Sequence, residues 1–144
     1  MNIKIIANVS KLNTASNGAL KEYGKRLTRY CKFNFYPCKK EKDALKHLSS
    51  SSTIFIIEPS KETLSSEELS KKMEMLGLTG KSDLLFLIGF SKDWIETSVF
   101  SLPNASIEVI SISSLDLSPS LASAVLSEQI YRAYRIMNKE PYHK

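Results

Sequence analysis

The sequence contains few of the residues that cross-link a chain or break its helices and strands. Its 144 residues include only two cysteines, five glycines and five prolines. So few cysteines exclude a disulfide framework, and so little glycine and proline excludes a disordered or collagen-like chain. No apolar run approaches the roughly 20 residues of a membrane span, and the apolar start is too short for a signal peptide. We therefore expect one compact domain over residues 1–144, cytoplasmic and without a membrane partner.

Several chemical motifs are also missing. The sequence contains no GxGxxG, no GxxxxGKS/T and no GxSxG, which argues against dinucleotide enzymes, P-loop enzymes and hydrolases. His47 and His143 are the only histidines, and neither has a nucleophile nearby in sequence. Cys31 and Cys38 have no accompanying CxxC motif or histidine cluster, so a zinc site lacks ligands. We expect no metal and two reduced thiols packed beside a strand and its flanking helix.

The balance of charge is basic. Lys and Arg total 20 against 15 acidic residues, a formal net charge of +5, which is consistent with a polyanionic partner. Lys21, Lys25 and Arg29 recur at intervals of four residues, on one face of the first predicted helix. Two interpretations stay open for this stripe: a solvated helix face, or a set of RNA phosphate contacts.

Short apolar runs alternate with helical spacings along the chain. Strands are predicted over residues 3–7, 33–36, 53–57, 84–88 and 107–112, because these runs are β-branched or aromatic. Runs that are apolar on both sides indicate central strands covered by helices on both faces. The pattern therefore predicts an α/β fold with a mostly parallel sheet of five to six strands. Pattern alone favours a flavodoxin-like arrangement.

Helix boundaries carry clear signals. Helical spacing of Leu20, Tyr23, Leu27 and Tyr30 predicts the first helix. Ser65 and Glu68 have the capping-box spacing, and Gly77 or Gly80 would end the helix that follows them. The last helix is predicted to begin at Ser118-Pro119 and to end near Lys139, with Tyr131 and Tyr134 packing inward.

Ligands of open parallel sheets bind beyond the carboxyl ends of the strands. Three predicted strands are followed there by distinctive loops, at residues 58–61, 89–93 and 113–117. Gly89 opens the second loop, and glycine after a strand serves either a turn or a ligand. We therefore place the candidate site at these three loops.

The C-terminal sequence resembles a known family. Residues 127–134, SEQIYRAY, and the ending PYHK at 141–144 are similar to the C-terminal signature of the RlmH family of SPOUT-class RNA methyltransferases. That signature reads Glu-Gln-aliphatic-Tyr-Arg-Ala-aromatic, with a final Tyr-His-basic. Similar residues also occur where the family has them at 3–7, 11, 22–23, 64–67 and 87–89. The resemblance covers nearly the whole chain.

The resemblance implies a fold, a reaction and a site. It implies a C-terminal trefoil knot, a homodimer, and S-adenosylmethionine as methyl donor for N3 of a pseudouridine in large-subunit (23S) rRNA of assembled ribosomes. Arg132, Tyr142 and His143 would form the catalytic group, with the tail reaching its site across the dimer interface and Arg132 holding a phosphate or the tail. The implied cofactor contacts are Ile57, Gly89, Ile112, Ser113, Ser114, Leu115, Asp116 and Leu117.

Several positions differ from the family pattern, among them a second glycine that is lost from the loop after Gly89, where Asp93 stands. Phe90 replaces a glycine, and it would cost about 1 to 2 kcal/mol if that position needs a positive φ. Pro119 replaces a histidine and Ser123 an arginine. Asp116 replaces a threonine: its carboxylate could accept hydrogen bonds from a ribose and attract a sulfonium, or mark a pocket that no longer binds. Three functions stay open: an active methyltransferase, a degenerate homodimer that binds RNA or ribosomes without catalysis, and a flavodoxin-like small-ligand module.

Overall fold

The computed structural model describes residues 1–142, and its centre is a sheet of five parallel strands. The five predicted strands are confirmed, although residues 111–112 lie beyond the end of the last one. Short runs rich in apolar, β-branched or aromatic residues explain why these five segments are strands. The strands are β1 Asn2–Ala7, β2 Lys32–Pro37, β3 Thr53–Ile57, β4 Asp83–Ile88 and β5 Ser106–Ile110.

The strands lie in the order β2-β1-β4-β3-β5, with every neighbouring pair parallel. A flavodoxin-like sheet has the order 2-1-3-4-5, so that interpretation of the pattern is wrong: strands three and four are exchanged. Both β3 and β4 are buried and apolar on their two faces, so hydropathy does not determine which of them is central. The trefoil knot stays a prediction.

Within residues 1–142, four α-helices surround the sheet: α1 Thr14–Leu27, α2 Ser66–Leu78, α3 Lys92–Trp94 and α4 Pro119–Met137. A 3₁₀ helix covers Glu41–His47, and α3 continues as a π-helical turn over Ile95–Val99. Side-chain oxygens begin the long helices as the sequence predicts: the Ser65 hydroxyl accepts from the Glu68 amide at 3.0 Å and the Ser118 hydroxyl from the Leu121 amide at 3.2 Å. The start of α2 therefore has the predicted serine cap.

Alternate residues of the strands point to two separate cores. On one face Ile3, Ile5 and Phe86 pack against α1, α2 and α4, and on the other Leu85 and Leu87 pack against the 3₁₀ helix and the π-helical turn. Helix α4 lies between α1 and α2. Its N-terminus therefore comes to the carboxyl edge of the sheet, where β3 and β4 end.

Candidate active site

A cavity of about 270 Å³ lies at the carboxyl edge of the sheet. It is bounded by the three loops that follow β3, β4 and β5, together with the first turn of α4. Seven of the eight predicted cofactor contacts line it, and Ser114 does not. The lining residues are Ile57, Glu58, Pro59, Ile88, Gly89, Phe90, Ile112, Ser113, Leu115, Asp116, Leu117, Pro119 and Ala122.

Gly89 has a backbone that only glycine adopts easily. Its φ is +83°, and a Cβ built on it would lie 2.8 Å from Cγ of Pro119. The Asn8 side-chain amide donates to the Gly89 carbonyl at 3.2 Å, which fixes this turn from the end of β1. Phe90 is not among the positive-φ residues, so the strain considered for it does not arise. The left-handed position of this loop is Gly89 itself.

The loop after Gly89 is held from the opposite face of the sheet. The Glu41 carboxylate accepts from the Ser91 amide at 2.6 Å and from the Ser91 hydroxyl at 3.0 Å. The Phe90 ring, which lines the cavity, stacks on Trp94 with ring centroids 4.7 Å apart. Sequence reasoning missed Glu41, which lies 50 residues before Ser91. The one sequence feature that could have pointed to this contact is Ser91, a serine directly before the short helix that begins with Lys92.

The third loop is shaped by serine hydroxyls. Ser111 donates its hydroxyl to the Ser113 carbonyl at 2.8 Å, and the Ser113 hydroxyl accepts from the Leu115 amide at 2.9 Å. The amides of Ser60 and Leu64 donate to the carbonyls of Ser113 and Ser111. These bonds tie the third loop to the first. Leu115 is left 71% exposed at the mouth of the cavity.

The two family differences on α4 have clear structural correlates. Pro119 is the first residue of the helix, and its ring closes the space beside Gly89. Ser123 is fully buried and donates its hydroxyl to the Pro119 carbonyl at 2.7 Å, so the helix backbone satisfies it. The charged residues that line the cavity are Glu58 and Asp116, both acidic. The cavity therefore suits a ligand that carries positive charge.

Arg132 and Tyr142 meet at the other end of α4. The Arg132 guanidinium lies 2.7 Å from the Glu128 carboxylate and 4.9 Å from the centre of the Tyr142 ring. Tyr142 also meets Tyr131 edge to face, with centroids 5.0 Å apart. Burial, and next a hydrogen bond with Tyr23, raise the pKa of Tyr142 to about 12. His143, the third predicted catalytic residue, lies outside the described residues.

Packing explains the two tyrosines on α4. Tyr131 and Tyr134 are only 8% and 9% exposed, as the helical periodicity predicts. The Tyr134 ring stacks on Tyr30 at 5.2 Å. Arg132 comes ten residues after Ala122, about 15 Å along a helix that rises 1.5 Å per residue. One chain therefore brings seven of the predicted cofactor contacts together but keeps Arg132, with Tyr142 packed against it, apart from them.

Lys21 and Lys25 of the predicted basic stripe are exposed on α1, whereas Arg29 is exposed in the turn beyond the end of the helix at Leu27, so the prediction that all three share a helix face is wrong for Arg29. Arg29 also contacts other residues of the protein: its guanidinium lies 3.7 Å from the Glu140 carboxylate and 4.9 Å from the Tyr30 ring centre. Arg29 thus lies beside the C-terminal tail. Its lysines are available to a polyanion, whereas Arg29 also contributes to the fold.

Both cysteines are free thiols, and burial raises the pKa of each. Across residues 1–142, no group of three or more His, Cys, Asp or Glu side chains is placed to hold a metal ion. Within the same range, no helix has the length and apolar character needed to cross a membrane.

Comparisons with known proteins agree along the whole chain. A family model described as "Predicted SPOUT methyltransferase" matches residues 1–143. The chain is 40% identical over 144 residues to "Ribosomal RNA large subunit methyltransferase H 1" of Thermoanaerobacter sp.. It is 34% identical to "Ribosomal RNA large subunit methyltransferase H" of Clostridium botulinum and 35% identical to that of Clostridium kluyveri. Each of these alignments covers 100% of both proteins.

A solved structure is similar in fold. It is a probable methylase family protein from Haemophilus influenzae Rd KW20, with a TM-score of 0.51 at 9% sequence identity. The match covers 99% of this chain and 70% of the other.

Proposed function

This chain belongs to the SPOUT methyltransferases, which use S-adenosylmethionine as methyl donor, and we propose that it methylates large-subunit ribosomal RNA. The observation that carries the proposal is the cavity where three strand-end loops meet around Gly89. The names of relatives that align over their whole length support the RNA substrate. As the finer proposal, the target is N3 of a pseudouridine in 23S rRNA of assembled ribosomes.

The residues of the cavity fit S-adenosylmethionine. Its volume of about 270 Å³ lies just below the range of roughly 300 to 1,000 Å³ usual for small-molecule sites. Apolar side chains such as Ile57, Ile112 and Leu117 suit the adenine ring and the carbon chain. Glu58 and Asp116 suit the hydroxyl, ammonium and sulfonium groups of the cofactor. We therefore favour the binding interpretation of Asp116.

S-adenosylmethionine supplies a methyl group on a positively charged sulfur, so the chain has mainly to align donor and acceptor. The acceptor N3 would give up its proton to solvent or a base as it takes that methyl group. Tyr142, with its pKa raised to about 12, keeps its proton at neutral pH. We assign Tyr142 as a hydrogen-bond donor to the target base, and Arg132 as a contact to a neighbouring phosphate.

A second copy of the chain would complete this site. Arg132 lies about 15 Å along α4 from Ala122 of the cavity, with Tyr142 packed against it, too far to act on a ligand held there in the same chain. We propose that the tail of each copy serves the cavity of its partner in a homodimer. Lys21, Lys25 and Arg29 would contact the RNA backbone, and Arg29 also lies beside Glu140 of the tail.

The test is transfer of labelled methyl groups. Purified protein is incubated with labelled S-adenosylmethionine and ribosomes from a strain that lacks the family enzyme, and label is expected on large-subunit RNA. In calorimetry, Asp116→Ala should weaken cofactor binding about 10- to 100-fold, because a charged hydrogen-bond partner is lost. Glu96→Ala is the control, since Glu96 is exposed on the π-helical turn and does not line the cavity.

Two results would contradict the proposal. Absence of heat with millimolar cofactor would show that the cavity does not bind S-adenosylmethionine. Tight ribosome binding without label transfer would instead favour the noncatalytic homodimer.

A further inference from the structure

The chain reverses direction at the end of α4, immediately before Tyr142. Lys139 adopts a left-handed backbone with φ of +54°, a conformation that residues other than glycine rarely adopt. Its amide donates to the Ile136 carbonyl at 3.0 Å, and the Glu140 amide donates to the Arg135 carbonyl at 2.8 Å. The turn therefore sends residues 140–142 back along the side of the helix.

A polar cluster holds this reversed segment. Tyr30 donates its hydroxyl to one carboxylate oxygen of Glu140 at 2.8 Å, and Arg135 donates to the other oxygen at 2.8 Å. Arg135 also donates to the Pro141 carbonyl at 3.0 Å. The cluster joins the residues just after α1, helix α4 and the tail, and Tyr30 and Glu140 are 110 residues apart in sequence.

The cluster is partly shielded from water. The side chains of Arg135 and Glu140 are 16% and 23% exposed. A charged pair that is partly desolvated and also hydrogen-bonded constrains its segment more than an exposed surface pair does. Two residues beyond Glu140, the Tyr142 ring is enclosed by Tyr131 and the Arg132 guanidinium.

We propose that Tyr30, Arg135 and Glu140 form a tail clamp that fixes the position of Tyr142 before RNA arrives. The two charged clamp residues are positioning residues, because they would act through the tail and not on the substrate. Chain ends usually fray, and a tail that had to be ordered during each reaction would bring an entropic cost to catalysis. This inference rests on the proposed function, in which Tyr142 contacts the target base.

Glu140→Gln and Arg135→Met test the clamp. Each should raise hydrogen exchange at the amides of residues 138–140 and of Tyr142 about tenfold, since the tail loses its charged anchor. Each should lower kcat on ribosomes about tenfold while calorimetric affinity for S-adenosylmethionine stays within about twofold. Arg135→Lys should fall between wild type and Arg135→Met, because it keeps the charge but loses the two-pronged geometry.

Matched controls come from the pair Lys72 and Glu108, 2.8 Å apart between α2 and β5. Glu108→Gln and Lys72→Met remove the same charges from a pair that does not touch the tail, and they should leave tail exchange and kcat unchanged. The inference is overturned if Glu140→Gln leaves tail exchange at the wild-type rate. It is also overturned if the tail is freed and kcat does not change.

The two proposals fail separately. If the wild-type protein transfers no label, the proposed function fails. The exchange measurements then still decide whether the clamp orders the tail, because they need neither RNA nor cofactor.

Discussion

At the scale of single residues, Gly89 is restricted twice, by its backbone conformation and by the atoms that surround it. Its φ of +83° disfavours any side chain, and Pro119 would lie 2.8 Å from an added Cβ. We expect Gly89→Ala to lower the free energy of unfolding by about 1 to 2 kcal/mol from the backbone alone, and to weaken cofactor binding as Pro119 moves. Urea unfolding and calorimetry measure the two effects.

Gly18 provides the matched control. It lies within α1, has no positive φ, and a Cβ there would meet no atom within 4 Å. Gly18→Ala should raise the free energy of unfolding by about 0.5 to 1 kcal/mol, because alanine loses less backbone freedom on folding. If Gly89→Ala and Gly18→Ala changed the free energy of unfolding equally, the backbone geometry at Gly89 would add no cost to a side chain there.

Phe90 shows how a family difference is accommodated locally. The sequence leaves open whether this position needs a positive φ, and the structure assigns that conformation to Gly89 instead. The Phe90 side chain then has room to stack on Trp94 and to line the cavity. A bulky residue here changes the cavity wall and adds no backbone strain.

At the scale of elements, the 3₁₀ helix is anchored to β2 by a stacked pair. His47 lies on the Tyr36 ring with centroids 4.1 Å apart. Burial first, and then Lys46 and Lys4, lower the pKa of His47. Because the fold favours the neutral imidazole, its contribution to stability is present above the ordinary pKa of about 6.5 and is lost as the pH falls through the lowered value.

We therefore expect the wild-type protein to lose more stability on acidification below about pH 6.5 than His47→Phe, which keeps an aromatic ring but cannot be protonated. Urea unfolding at a series of pH values measures the difference. Parallel pH profiles for the two proteins would contradict the assignment.

The exposed stripe on α1 makes a prediction about salt. Lys21→Gln and Lys25→Gln should each weaken RNA binding and reduce the slope of log affinity against log salt by about 0.7 to 0.9, the value for one released counterion. Lys81→Gln is the control, because Lys81 is exposed in the loop between α2 and β4 and does not belong to the stripe. An unchanged slope for both stripe variants would identify the stripe as an ordinary solvated helix face.

The elements themselves were largely predictable because their signals are local. Continuous apolar runs mark the strands, and Ser65 and Ser118 mark the helix starts. Tyr30 follows the helical spacing of α1 but lies beyond its end at Leu27. Periodicity does not stop where hydrogen bonding stops, so the end of α1 could not be read from it.

At the scale of the whole molecule, the two halves of the proposed site lie at opposite ends of α4. If a partner chain unites them, an Asp116→Ala protein and a Tyr142→Phe protein, each weakly active alone, should regain activity when mixed and allowed to exchange subunits. If the subunits exchange at random, each mixed dimer has one intact site and one defective site. The mixture should then show about a quarter of wild-type activity. Labelled methyl transfer measures it, and wild type diluted with an Asp116→Ala, Tyr142→Phe double variant is the control. Activity no higher than the sum of the separate proteins would exclude a shared site.

The gathering of the three loops could be predicted, whereas the contacts that hold them could not. Parallel strands bring their carboxyl ends to one edge, so the loops at residues 58–61, 89–93 and 113–117 had to meet. The bonds of Glu41 to Ser91 and of Tyr30 to Glu140 join residues 50 and 110 positions apart. Local sequence patterns contain no information about such distant pairs. For the same reason they do not reveal that β4 lies between β1 and β3 in the sheet.

The stack of Phe90 on Trp94 gives the molecule an optical property. Trp94 is the only tryptophan in the sequence, and its stacking partner lines the cavity. We expect a ligand that enters the cavity to move the Phe90 ring and so to change the emission intensity and wavelength of this one indole. The chain thus carries its own fluorescent probe, which can follow the arrival and departure of the cofactor in real time.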